Sequence, residues 1–194
     1  MLIAVLCLAA ATAAVAASAR TAQAPSPARC GGQLWRMKTL SDAARKSVAL
    51  TPKTTTIGAI GDRPFPRPLP RKRRTSFQRQ NWELVAVITL FRLEDAGLRL
   101  ILFDARDHGA YANVVIPTPA CLSAASRARG SMTAAWNAFE TSCGRGTREW
   151  QPLGAVAHVS GIGFWSQRDG DRGAAPNGAE LYPVTSFRIV VGCG

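Results

Sequence analysis

Histidine is scarce in this sequence, whose 194 residues include only 2 histidines, His108 and His158. The patterns that usually mark enzymatic or metal sites are also missing: a Gly-rich phosphate loop, an H-E-x-x-H pair, a G-x-S-x-G motif and a C-x-x-C pair. His158 shares one face of a predicted strand with Ile162 and Phe164, which favours a half-buried structural role. His108 lies in a predicted turn. We therefore predict no catalytic residue, no metal site and no cofactor.

Acidic residues are few as well. The chain has 12 Asp and Glu against 24 Lys and Arg, so its formal net charge is +12 and its sequence pI is about 10.7. A protein with this charge is attracted to polyanions such as nucleic acid, anionic lipid headgroups or acidic cell-surface polymers. The composition thus points to an anionic partner without identifying it.

The positive charge is concentrated in residues 63–80, where arginine and proline alternate before a run of basic residues. Proline at every other position favours an extended, polyproline-like segment. We predict an exposed basic arm here, with Arg71, Lys72, Arg73 and Arg74 as ligand-binding residues. The alternative is a solvated linker whose charge reflects the arginine-rich composition of the whole chain. Phe77 and Trp82 are the only aromatic residues that follow closely, so a stacking platform for single-stranded nucleic acid is only weakly indicated.

Long apolar runs are absent apart from Leu2 to Ala17. A membrane-spanning helix needs about 20 apolar residues, and small residues follow this run, so we predict a signal peptide over residues 1–24. Cleavage after Ala19 and cleavage after Ala24 both fit, and an uncleaved membrane anchor is the alternative. We expect no membrane span after cleavage and a secreted, periplasmic or cell-envelope location.

Export changes how the cysteines are interpreted. Of the 5 cysteines, Cys7 lies in the predicted signal peptide and four remain: Cys30, Cys121, Cys143 and Cys193. An even number of cysteines in an exported chain predicts two disulfides. Four cysteines allow three pairings, and the residues alone do not choose among them.

The second half of the chain predicts a mainly β fold. Alternating apolar runs predict strands over 84–93, 98–104, 110–116, 156–165 and 179–191. Met132, Trp136 and Phe139 have helical spacing, and Ser131 or Thr133 is a candidate cap. The order β-β-β-α-β-β predicts an OB-fold-like five-stranded barrel with one helix between strands 3 and 4. An irregular β-sandwich is the alternative. The predicted domains are an N-terminal extension at 25–62, the basic arm at 63–80 and the barrel at 81–194.

Several motifs resemble those of a family of small, secreted, uncharacterised bacterial proteins. Gly173 to Val184 is similar to the family's closing motif G-V-A-P-N-G-I-E-L-H-P-V. The opening residues Cys30 to Thr39 and the segment Ile116 to Cys121 are similar to its C-G-x-x-x-W-x-V-K-T and I-P-D-P-A-C. The resemblance implies pairing of Cys30 with Cys121 and of Cys143 with Cys193. The pairing of Cys121 with Cys143 and Cys30 with Cys193 remains the alternative.

The departures from this family pattern argue against catalysis. The family tends to have histidines at three places that correspond here to Arg99, Asp169 and Tyr182, and acidic residues at places that correspond to Val115 and Thr118. Within the closing motif, Pro176, Asn177, Gly178 and Glu180 are expected to have structural roles. Asn-Gly suits a tight turn, and Glu180 is expected to bond backbone in that loop.

These features predict an exported, non-catalytic OB-like binding module for an anionic ligand, either nucleic acid or an acidic surface polymer. A divergent or degenerate thermonuclease-like phosphodiesterase is one alternative. It would use the acidic residues Glu94, Asp95, Asp104 and Asp107 with the nearby arginines Arg92, Arg99 and Arg106. A structural envelope protein is the other alternative.

Overall fold

The computed structural model describes residues 30–104, 106–107, 109–167 and 170–193. The predicted signal peptide, His108 and Asp169 lie outside these ranges. The six strands are β1 (Ala49–Thr54), β2 (Gln80–Glu94), β3 (Gly97–Phe103), β4 (Tyr111–Pro117), β5 (Gln151–Trp165) and β6 (Ala179–Val191). The α-helices are α1 (Trp35–Lys38), α2 (Ile57–Gly61) and α3 (Arg129–Cys143). The predicted mainly β class is therefore confirmed.

The strands form one mixed sheet in the order β1-β2-β3-β4-β6-β5, and β2 also pairs with β5. This extra pairing makes a closed ring of hydrogen bonds through the five strands β2, β3, β4, β6 and β5. All ring pairings are antiparallel except β4 with β6, which is parallel. The five predicted strands are these five, and the predicted helix between strands 3 and 4 is α3.

The N-terminal extension contributes a strand for which the sequence analysis made no prediction. β1 pairs in parallel with the start of β2, with Lys53 opposite Trp82. Most of its side chains are exposed, and Pro52 is tolerated because only edge strands accept proline without losing a ladder hydrogen bond. A short, exposed, proline-containing strand has no alternating apolar pattern, so the sequence does not indicate it.

The interior of the ring is apolar, and α3 packs against it. Fully buried aliphatic side chains from the ring strands fill it, namely Leu84, Ile88, Leu100, Leu102, Val114, Ile116, Val159, Leu181 and Val184. Met132 and Phe139 on α3 are buried, and the Phe139 ring lies 5.2 Å from Phe91 and 5.4 Å from Phe187. The helix begins at Arg129, before both predicted caps, and no side chain caps its first turn.

Strands β5 and β6 carry the irregularity that their glycines and Pro183 predict. Gly161 pairs with Val184 and Gly163 pairs with Leu181, so two residues of β6 oppose Ile162 and form a bulge. A Cβ atom at Gly163 would overlap the backbone oxygen of Phe77. Glycine is required there because the segment before β2 crosses the strand in direct contact.

Two disulfides join the chain, Cys30–Cys121 and Cys143–Cys193, the pairing that the family resemblance implies. The first ties the N-terminal extension to the end of β4, and the second ties the end of α3 to the segment after β6. Disulfides persist in oxidising compartments, so they are consistent with an extracytoplasmic protein. None of the helices in the described ranges is long and apolar enough to cross a membrane.

Candidate functional site

Residues 63–79, here called the basic segment, pack on the ring instead of forming a free arm. The Arg63 guanidinium lies 4.3 Å from the Trp82 ring centroid and 5.2 Å from that of Phe77, as in cation–π contacts. The Phe65 ring meets Trp165 edge-on at 6.1 Å. These contacts hold the proline-rich half of the segment against β2 and β5.

Arg73 anchors the middle of this segment and corrects part of the prediction. Its side chain is 0% exposed, and its Nε donates to Asp42 at 3.2 Å. Its Nη1 donates to the Gln78 carbonyl at 2.9 Å and its Nη2 to the Met37 carbonyl at 2.6 Å. Burial, only partly offset by Asp42, lowers the pKa of Arg73 from its usual value. A guanidinium that is fully used inside the protein is not available to a ligand, so Arg73 is a structural residue.

The other predicted ligand-binding residues, Arg71, Lys72 and Arg74, are exposed. Arg67 and Arg79 in the same segment are exposed too, and no acidic residue occurs between Asp62 and Glu83. Bonds to the backbone keep the segment in place: the Gln78 Oε1 accepts from the Arg74 N–H at 3.2 Å, and Arg79 Nη2 donates to the Arg74 carbonyl at 3.2 Å. Among the described residues, no hydrogen bond uses the side chain of Arg71, Lys72 or Arg74. The basic segment therefore presents positive charge to solvent from a backbone that is itself fixed.

A second group of charges, here called the buried charge cluster, consists of Glu94, Arg99 and Glu180. Arg99 Nε donates to Glu94 at 2.8 Å, and Arg99 Nη1 lies 3.5 Å from Glu180. The second Glu180 oxygen accepts from Ser166 Oγ at 2.5 Å. Arg92 also donates to Glu94, at 2.7 Å. Every carboxylate of the cluster is therefore partnered.

The packing of β3 explains why this cluster forms. Arg99 alternates with the buried Leu98 and Leu100, so its side chain projects to the outer side of the ring. There it meets Glu94 at the end of β2 and Glu180 near the start of β6. The Asn113 side chain on β4 is oriented so that its amide nitrogen donates to the Arg172 carbonyl. Its amide oxygen then accepts from Arg99 Nη1 at 3.3 Å.

The pKa values of the cluster follow from the competition between burial and pairing. Burial alone would raise the pKa of Glu94, but Arg99 and then Arg92 outweigh it and leave that pKa lowered. Burial likewise opposes the charge of Arg99, but Glu180 and Glu94 raise its pKa above the usual value. Burial, followed by Glu180, raises the pKa of Tyr182. Pairing thus outweighs burial at both Glu94 and Arg99 and favours the charged form of each.

A surface cavity of about 160 Å³ lies beside this cluster. It is bounded by the N-terminal extension, the basic segment at Leu69, β3 at Arg99 and the end of β5, and its polar lining includes Gln33, Lys38, Ser166, Gln167 and Asp171. Lys38 Nζ lies 5.2 Å from the Phe164 ring centroid and 5.1 Å from that of Tyr182. Burial lowers the pKa of Lys38, although Glu180 opposes this shift.

The closing-motif residues make their contacts within the fold, and those of Glu180 differ in kind from the others. Asn177 is buried, and its amide donates to the carbonyls of Ile60 and Arg63 at 2.8 and 2.9 Å. Gly178 has a positive φ of 69°, and Pro176 is exposed at the turn. Glu180 was expected to bond backbone, whereas it contacts the side chains of Ser166 and Arg99. It therefore belongs to the buried charge cluster.

The acidic residues of the phosphodiesterase alternative are not brought together. Glu94 and Asp95 lie at the turn before β3, while Asp104 and Asp107 follow its other end, so one strand of about 20 Å separates the pairs. Asp95 pairs with Arg148, and Asp104 accepts from the Arg106 backbone N–H. Within the described ranges, no group of three or more His, Cys, Asp or Glu side chains is placed to hold a metal ion.

Sequence reasoning missed the positions of Lys38 and Ser166 at this cavity. Lys38 lies in the opening motif from Cys30 to Thr39 but was given no role there, and no motif singled out Ser166. The available signal was Arg99, a charge inside the otherwise apolar stretch from Leu98 to Phe103, because a charge on a buried strand requires a partner. Arg99 and Tyr182, two places that the family resemblance singles out, both lie at the cluster.

His158 is half-buried and lies 3.6 Å from Glu83 across the sheet.

Comparison of the chain with known protein families and with curated proteins returned no match.

Proposed function

We propose that this protein is an exported, non-catalytic module that binds a polyanion, either nucleic acid or an acidic surface polymer, through the basic segment. The observation that carries the proposal is the row of exposed cations on residues 63–79, held on an ordered backbone in a stretch of sequence that contains no acidic residue. Polyanions are bound through many such contacts, each of which releases counterions.

The closed ring of strands supports an OB-like barrel as the scaffold. Numbered within the ring, the strand order is 1-2-3-5-4 with strand 4 returning to strand 1, the third and fifth strands are parallel, and α3 connects the third to the fourth. We expect this connectivity of a five-stranded Greek-key barrel of the OB type, and such barrels bind oligonucleotides or oligosaccharides in many proteins. The likeness is one of fold, and function requires its own evidence.

The surface charge supports the same proposal. Several acidic side chains are buried or paired, including Asp42, Asp104, Glu94 and Glu180. The basic residues are mostly exposed, and those outside the basic segment include Arg36, Lys46, Lys53, Arg129, Arg145 and Arg188. The protein therefore presents an excess of positive charge to solvent.

The order of the basic segment distinguishes it from a solvated linker. A flexible arm pays a cost of roughly 0.5–1.5 kcal/mol for each long side chain that it orders on binding, in addition to ordering its backbone. Here Arg73, Gln78 and the aromatic contacts of Arg63 and Phe65 have already fixed the backbone. Arg71, Lys72 and Arg74 are thus presented with part of the ordering cost removed.

The test is a salt titration of the oxidised protein with a labelled oligothymidylate in the presence of calcium, with the DNA then analysed on a gel. We expect affinity to fall linearly with the logarithm of salt concentration. Replacing Arg71, Lys72 and Arg74 by alanine should reduce the magnitude of that slope by about 2, since each contact with a single strand contributes about 0.7. A polyuronate added as competitor distinguishes the two proposed ligands, since it displaces the DNA if the segment prefers an acidic surface polymer to nucleic acid.

The matched control replaces Arg129, Arg145 and Arg188 by alanine, which removes the same charge from other exposed positions. If the slope of affinity against salt concentration falls by the same amount in both triple variants, only net charge matters and the segment has no special role. Shortened DNA would instead support the phosphodiesterase alternative. Absence of binding to DNA and polyuronate would leave the structural envelope alternative.

A further inference from the structure

The cavity beside the buried charge cluster, here called the Lys38 cavity, is distinct from the basic segment, which touches it only at Leu69 among its described lining. We propose that this cavity binds a small carboxylic acid that carries hydroxyl groups, with its carboxylate at Lys38. The argument rests on the charge inventory of the cavity, its hydrogen-bonding side chains and its size.

Lys38 is the cation of this site that lacks a carboxylate partner. Glu94 and Glu180 are both within hydrogen-bonding or ion-pair distance of Arg99, whereas no ion pair within 4.0 Å involves Lys38 among the described residues. The Lys38 side chain is half-buried between Phe164 and Tyr182. Aromatic faces compensate only part of the lost hydration of an ammonium group, so a bound anion is the partner that the geometry leaves room for.

The charge balance favours a monoanion. Lys38 and Arg99 face the cavity. The charges of Arg92 and Arg99 balance those of Glu94 and Glu180, and Asp171 lies at the exposed rim. A phosphate dianion would bring two negative charges against one unpaired cation and the Asp171 carboxylate. A single carboxylate balances Lys38 without that repulsion.

The remaining polar lining suits hydroxyl groups. Gln33 and Gln167 offer amide donors and acceptors, and Asp171 offers acceptors only. Ser166 uses its proton on Glu180, so its oxygen is left to accept. Hydroxyls both donate and accept, and they match this mixture better than an apolar acid would.

The size of the cavity sets the scale of the ligand. At about 160 Å³ it exceeds the space that one water needs, roughly 10–15 Å³ on the same measure. It is smaller than the sites of roughly 300–1,000 Å³ that enclose drug-sized ligands. A monosaccharide acid is of the appropriate size, so we use D-glucuronate as the probe.

The experiment follows Lys38 by NMR in the full oxidised protein labelled with ε-¹³C lysine, which is practical because the chain has only four lysines, Lys38, Lys46, Lys53 and Lys72. The pKa of Lys38 is measured without ligand, with glucuronate and with glucose. Glu180, Glu94, Arg99, Asp171 and Tyr182 are the charged or titratable groups around it. Since a bound carboxylate favours the ammonium form, glucuronate should raise this pKa saturably while glucose leaves it unchanged.

Three variants complete the test. Lys38→Met, which keeps an apolar contact with Phe164 and Tyr182, should weaken glucuronate binding, measured by titration calorimetry, at least tenfold, because a hydrogen bond to a charged group is lost. Lys46→Met, at an exposed position, should bind as the wild type does. Replacing Arg71, Lys72 and Arg74 by alanine should also leave glucuronate binding unchanged, so failure here and failure of polyanion binding are separable.

Several outcomes would overturn the proposal. Lys38 resonances that do not respond to glucuronate would show that the cavity does not bind it. An equal response to glucose would remove the role of the carboxylate, and an equal response to acetate would remove that of the hydroxyls. A response of the same size at Lys72, which is exposed, would mean that the anion associates with the surface in general.

Discussion

The basic segment and the buried charge cluster use the same residue types for opposite purposes. Arg71, Lys72 and Arg74 are exposed and make no ion pair among the described residues, whereas Arg99 is 14% exposed and faces two carboxylates. Charges in water interact weakly, at about 1 kcal/mol for two unit charges 4 Å apart, and more strongly as burial removes water. The comparison teaches that burial, more than residue type, separates a charge that is available to a ligand from one that stabilises the fold.

The contrast even occurs between chain neighbours. Arg73 points inward to Asp42 and two carbonyl oxygens, while Lys72 and Arg74 on either side point to solvent. One inward arginine fixes the backbone from which the outward residues are presented. The two roles lie on different residues, so they can be separated by substitution.

The largest loss of folding stability is expected for Arg73→Met. It leaves the Asp42 carboxylate and the Met37 and Gln78 carbonyls without their donor, and breaking a buried pair in this way costs about 3–5 kcal/mol. The matched variant Arg74→Met should change the free energy of unfolding by less than about 0.5 kcal/mol. Urea unfolding at neutral pH measures both. Equal effects would contradict the contrast between the neighbours.

The second largest loss of folding stability is expected for Arg99→Met. This change removes the shared partner of Glu94 and Glu180 and should destabilise the protein by about 2–4 kcal/mol at neutral pH. Arg92→Met provides the control, since Arg92 also donates to Glu94 but is 36% exposed, and its effect should be smaller.

The Arg99 effect should also depend on pH in a definite direction. The pKa of Glu94 is lowered in the folded protein from its usual 4.5, so its stabilisation is present above that value and is lost as pH falls through the lowered pKa. The difference in stability between wild type and Arg99→Met should therefore be full at neutral pH and shrink on acidification below about pH 4.5. A difference that does not change with pH would mean that lost packing, and not charge, explains the effect.

The smallest loss of folding stability is expected for Arg148→Ala. Arg148 pairs with Asp95 at 2.8 Å, but their side chains are 62% and 49% exposed. Such pairs contribute about 0–1 kcal/mol and are screened by salt. Thermal melting at low and high salt should show a small difference that vanishes at high salt. A loss comparable to that of Arg99→Met would show that exposure does not govern the strength of these pairs.

The strands of the ring were predictable because alternation of apolar residues survives in each of them. Strand β6 begins and ends at the predicted residues, Ala179 and Val191, whereas β2 begins at Gln80 and β5 at Gln151, earlier than predicted. The added residues of β2 are largely polar, and pairing with β1 and β5 overrides their weak strand pattern. β1 itself was missed for the same reason.

The candidate site was less predictable than the fold. The basic run was visible in the sequence, but Arg73 cannot be distinguished from Arg71, Lys72 or Arg74 by composition or spacing. The Lys38 cavity joins side chains from the N-terminal extension, β3 and the end of β5, which are separated along the chain by dozens of residues. No local pattern encodes such a meeting.

The amino-acid sequence by itself determined the β-rich class and the order of the ring strands along the chain, with the helix between the third and the fourth. It also determined the even set of cysteines outside the predicted signal peptide and the net positive charge. These properties follow from composition and from the period of the apolar residues, which are local quantities. Only the tertiary structure decided that the basic segment is packed, that Arg73 faces inward and that Lys38 meets Arg99 at one cavity. The physical reason is that burial and pairing of charges depend on distant segments, and these are brought together only when the ring closes.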